Sequence, residues 1–60
     1  MIYIENEGAL FQGVSRGWPE KIWSERQKKW LPYNGNVPKP VDWGEKISAK
    51  EASESYPGSV

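Results

Sequence analysis

Sixty residues limit this chain to one domain, and the absence of cysteine and histidine excludes disulfides, Cys/His zinc sites and nucleophile–histidine catalysis. Eight basic residues balance eight acidic ones, so no global field draws the chain to nucleic acid or to an anionic membrane. What remains to stabilise a fold of this size is large side chains: eight aromatics, four of them tryptophan, each able to remove roughly 150–250 Å² from water. A small core cannot hide all four indoles, so one or two are expected at the surface, where amphipathic aromatics serve as contact anchors.

Met1 to Glu5 reads as a strand with Ile2 and Ile4 on one face and Tyr3 on the other. Asn6-Glu7-Gly8 supplies the turn, and Ala9 to Val14 the return strand. In that strand Leu10 and Val14 share a face, Phe11 opposes them, and Gly13 marks a bulge or a close backbone approach. Ser15 to Pro19 is expected to be a loop, because Gly17 and Pro19 interrupt the pattern and Pro19 biases Trp18 toward extended backbone.

Glu20 to Trp30 admits two readings. Glu, Lys, Arg and Gln are good helix formers, but the apolar residues Ile22, Trp23 and Trp30 fill a helical stripe poorly. A hairpin across the polar connection Glu25-Arg26-Gln27-Lys28 instead makes Trp23 and Trp30 a cross-strand pair, and is the favoured reading. Pro32 ends or edges the fourth strand, and Asn34-Gly35-Asn36 is a turn signal. With Pro38 and Pro40, the stretch from Val37 to Val41 suits polyproline II running across the sheet, pinned to the core by Trp43. Ser48-Ala49-Lys50-Glu51 matches the S-x-x-E capping box with Ile47 as its staple, which predicts a helix from Ala49 to about Ser55. Pro57-Gly58 stops that helix, and Ser59-Val60 is expected to fray.

These elements predict a single α+β domain. Residues 1–36 form an antiparallel meander of three or four strands, 37–47 a Pro-containing crossing segment, 48–56 a short helix and 57–60 a frayed tail.

No motif for catalysis, metal or cofactor binding is present. The carboxylates are scattered among turns and caps, and neither a P-loop nor a dinucleotide fingerprint occurs. The expectation is a non-catalytic protein-binding module without cofactor or metal. Its contact surface is placed at Trp23, Arg26, Lys28, Lys29 and Trp30, within a stretch from Arg16 to Trp30 carrying a net charge of +3. The alternative is a small nucleic-acid-binding module in which Arg26 to Lys29 neutralise phosphate and an indole stacks a base. No segment approaches the roughly 20 apolar residues of a membrane span, so a cytoplasmic chain is expected.

Two resemblances accompany this reading. Trp23 and Trp43, twenty positions apart, and Gly17-Trp18-Pro19-Glu20 are similar to parts of the WW motif, although Lys46 stands where that motif has proline. Over nearly the whole chain, an N-terminal strand, W-x-x-x-x-x-x-W-x-P-Y (Trp23 to Tyr33), P-V-D-W-G (Pro40 to Gly44) and I-S-x-x-E-A (Ile47 to Ala52) resemble small phage and prophage open reading frames. That resemblance implies a bacterial cytoplasm and an accessory role, such as binding and blocking a host protein.

Overall fold

A computed structural model describes residues 1–33, 39 and 43–60. Over these residues the chain forms strands β1 (Ile2–Asn6), β2 (Ala9–Ser15), β3 (Trp18–Ser24), β4 (Lys29–Pro32) and β5 (Glu45–Ile47), followed by helix α1 (Ala49–Ser55). The strands make one antiparallel sheet in the order β4-β3-β2-β1-β5. The fold is thus α+β as expected, but the described sheet has five strands where three or four were predicted. Glu45–Ile47 escaped notice because three residues carry no readable period, and pairing with Tyr3 to Glu5 is what makes them a strand.

Local chemistry accounts for the turns. Glu7 and Gly8 both take positive φ, the backbone that matches a two-residue hairpin loop to the twist of its flanking strands. Between β2 and β3 the expected loop over 15–19 contracts to a turn at Arg16-Gly17, with Ser15 opposite Trp18 and Pro19 opposite Gly13. Pro19 is tolerated inside a central strand because the register slips there, forming the bulge anticipated at Gly13. A Cβ on Gly13 would collide with the Trp18 carbonyl oxygen and come within 2.9 Å of the Pro19 Cα, so the two backbones meet at a distance only glycine permits.

Residues 20–30 adopt the hairpin. Lys28 N–H donates to the Ser24 carbonyl at 2.7 Å, Gln27 N–H donates to the Ser24 hydroxyl at 3.1 Å, and Lys28 turns the chain with φ +55°. Trp23 faces Trp30 in register, their rings 5.5 Å apart and tilted edge to face.

The sheet is covered on both faces. On one, Tyr3, Leu10, Trp23, Trp30 and Ile47 pack against Ala52 and Tyr56 of the helix layer. The helix begins as predicted: Ser48 Oγ accepts from Glu51 N–H, and the Glu51 carboxylate accepts from Ser48 N–H, both at 3.1 Å. Ser59 does not fray. It is 6% exposed, its hydroxyl donates to the Tyr56 carbonyl at 2.6 Å, and its own carbonyl accepts from Trp30 Nε1 at 3.1 Å.

On the other face, Phe11 meets Tyr33 and Trp43 edge to face at 5.0 and 5.1 Å. Trp43 therefore pins the returning chain to the core, as the sequence suggested. The described chain leaves β4 at one edge of the sheet and enters β5 at the other. The turn signal at 34–36 and the polyproline II reading of 37–41 fall on positions outside the described residues, Lys39 apart.

Candidate interaction surface

The expected contact residues occupy the β3–β4 hairpin. Arg26, Lys28 and Lys29 are exposed on its turn, whereas Trp23 is 7% exposed and Trp30 half-buried. Both indoles are turned toward the helix and both have hydrogen-bond acceptors: Trp23 Nε1 donates to Glu25 Oε1 at 3.1 Å, and Trp30 Nε1 to the Ser59 carbonyl. Folding has already desolvated Trp23 and part of Trp30, which lowers what they could add to binding. Lys28 is engaged as well, its ammonium 2.9 Å from Glu25 Oε2, where it holds the Glu25 carboxyl below the ordinary carboxylate range. Both partners are more than half exposed, so the pair orients the turn more than it stabilises it.

The stretch with net charge +3 does not become one patch. Seven residues of β3 at about 3.3 Å each separate Arg16 from the Arg26–Lys29 turn by roughly 20 Å, placing the two at opposite ends of the sheet. At the Arg16 end the sequence reading missed a different cluster. Val14 and Trp18, on either side of the Arg16-Gly17 turn, are 64% and 40% exposed and are the large apolar side chains this hairpin leaves in water. The register slips on both sides of Gly13 and leaves Val14 without a partner in β3, so Val14 lies in water and does not continue the buried Leu10 face as the alternation predicted.

Two tethers fix this hairpin tip to Gly44 and Lys39. Arg16 Nη2 donates to the Gly44 carbonyl, and Lys39 N–H donates to the Gly17 carbonyl at 2.9 Å. Lys39 also sets its ammonium over the rings of Tyr33 and Trp43, at 5.5 and 5.8 Å from their centroids. Between the tip and the β1 and β5 strands an open groove of about 610 Å³ remains, lined by Ile2, Val14, Arg16, Lys39 and Lys46 with Ser15 and Gly17. Its described lining therefore holds three cations, two aliphatic side chains and no carboxylate. Arg16 Nε is buried at this tip without an acceptor among the described residues. Sequence reasoning had two partial signals for this site: Gly17-Trp18-Pro19 as a break in pattern, and the crossing segment containing Lys39.

Among the described residues no group of three or more carboxylate, cysteine or histidine side chains is placed to hold a metal ion, and no helix is long and apolar enough to cross a membrane. No protein-family model, curated protein or solved structure matches the chain.

Proposed function

We propose that this chain is a non-catalytic protein-binding module that meets its partner with the β2–β3 hairpin end of its sheet. The observation carrying this reading is the exposed pair Val14 and Trp18 on a tip held at Arg16 and Gly17 by two tethers. An indole still in water has its desolvation energy to contribute, and a tip already fixed loses little freedom when it docks. The neighbouring cations Arg16, Lys39 and Lys46 supply the orientation that Arg26, Lys28 and Lys29 were expected to give. In the setting suggested by the resemblance to phage reading frames, the partner is a bacterial host factor that the module occupies or blocks.

Affinity capture from a bacterial lysate with tagged protein, followed by kinetics on the captured partner, tests the reading. Trp18→Ala is expected to speed dissociation and weaken binding by about 2 kcal/mol with the fold intact, whereas charge reversal at Lys28 and Lys29 leaves dissociation unchanged. Wild-type kinetics in Trp18→Ala, with binding lost on the double reversal, would move the surface to the β3–β4 turn. Capture of nucleic acid with a steep salt dependence would replace protein recognition by the alternative reading.

A further inference from the structure

We infer that the groove beside the hairpin tip takes an acidic peptide segment in which carboxylates flank an aliphatic side chain. The inference rests on the protein-binding reading and names the chemistry of the partner.

The groove joins two features that one ligand must satisfy together. Arg16, Lys39 and Lys46 come from three separate parts of the chain, and no described lining residue is acidic although the protein as a whole is neutral. Such a concentration of one sign in a neutral molecule draws anionic groups to that spot rather than to the surface at large. Ile2 and Val14 form the apolar part of the same lining. A nucleic-acid backbone presents phosphates and sugars, which match the cations and leave these aliphatic side chains without a counterpart. A peptide with an aliphatic residue between glutamates or aspartates matches both. The groove is open, so an extended segment can lie along it without the domain reopening.

Two of the three charges are positioned by unrelated contacts before any ligand arrives. Arg16 is held by the Gly44 carbonyl and Lys39 by the Tyr33 and Trp43 rings, while Lys46 pairs through its backbone opposite Ile4 and has an exposed side chain. Lys46 is therefore the cation to alter, since its side chain makes no hydrogen bond or ion pair among the described residues that a substitution would remove.

The probe is a fluorescein-labelled, amidated peptide Glu-Glu-Leu-Glu-Glu, read by fluorescence anisotropy and by backbone amide shifts of the labelled full chain. Binding is expected to shift the amides of Ile2, Val14, Lys39 and Lys46. Lys46→Glu should weaken it by about tenfold or more, and Lys29→Glu, at the far end of the sheet, by less than about twofold. Replacing the leucine of the peptide by serine should also weaken binding. Lys46→Gln, which removes charge without adding a carboxylate, separates a lost attraction from a damaged fold, and its amide spectrum reports which has occurred. Equal weakening by Lys46→Glu and Lys29→Glu would overturn the assignment, because attraction would then follow net charge rather than the groove. Stronger binding of oligouridylate of matched charge, with the same amides shifted, would overturn it in favour of a polyphosphate ligand. If the peptide does not bind at all while the captured partner still depends on Trp18, the groove assignment fails and the protein-binding reading stands. If the peptide binds as stated but Trp18→Ala leaves the partner's kinetics unchanged, the reading of the hairpin tip fails instead.

Discussion

Tyr56 shows how one side chain in the helix layer ties distant parts of the chain together. Its hydroxyl donates to Glu5 Oε2 at 2.9 Å, linking the residue that ends the helix to the first strand. Burial, then the hydrogen bond to Glu5 and the charge of that carboxylate, push the phenol from its ordinary value of 10.0 to about 12. Because folding favours the neutral phenol, the stability this residue contributes is fully present below about pH 10 and is lost as pH rises through about 12. Ultraviolet titration should therefore show a phenol ionising near pH 12, and Tyr56→Phe should abolish that step. The same substitution should cost about 1.5 kcal/mol in denaturant unfolding at neutral pH, since it leaves a part-buried carboxylate without its donor. A wild-type titration curve in Tyr56→Phe would show that another tyrosine carries the shift.

Elements succeed where the sequence encodes them twice. The helix has both halves of its capping box, and its staple residue Ile47 belongs to the same cluster as Ala52. Ser48→Ala should cost about 1 kcal/mol by chemical denaturation and reduce the helical signal. An unchanged midpoint would mean that the pairing of β5 with β1 holds the helix start without the cap. In the β3–β4 hairpin the register sets Trp23 against Trp30, and a double-mutant cycle to leucine should show about 0.5–1 kcal/mol of coupling beyond the single losses. Trp30 also lies 6.2 Å from Tyr3, so its single substitution should cost more than the pair alone explains. Additive effects would argue that the two rings are neighbours without preferring their edge-to-face geometry. Pro32 completes this element: Tyr33 N–H bonds inward to the Glu20 carbonyl, so the alternation of the ladder turns the position of Pro32 outward, and the outer edge lacks a donor there. That blunts an edge strand which would otherwise invite pairing with a second chain.

For the molecule as a whole, the C-terminal residues close the helix-covered face. Ser59 lies among Tyr56, Ala52 and Trp30, and it is the Trp30 indole that loses its acceptor if the tail is removed. Deleting Ser59 and Val60 should destabilise the domain by about 1–3 kcal/mol and red-shift tryptophan emission as water reaches Trp30. An unaltered unfolding curve would show that the tail only rests on the sheet.

The first hairpin, the irregularity at Gly13, the anchoring of Trp43 and the capped helix are legible in the residues alone, and the Trp23–Trp30 pairing is there as the favoured of two readings. Each of these follows from side-chain period, turn chemistry or capping within a short stretch of chain. The fifth strand, the burial of Ser59 and the layout of charge depend instead on long-range packing. Glu45–Ile47 is a strand because β1 offers it an edge, and Ser59 is ordered because Trp30 and the helix carbonyls are within its reach. Charge that is contiguous in sequence from Arg16 to Lys29 is divided by an extended strand, while Arg16, Lys39 and Lys46, scattered in sequence, converge on one groove. A strand carries its ends apart and a sheet brings remote positions together, so the location of a surface patch is a property of the pairing and not of the order of residues.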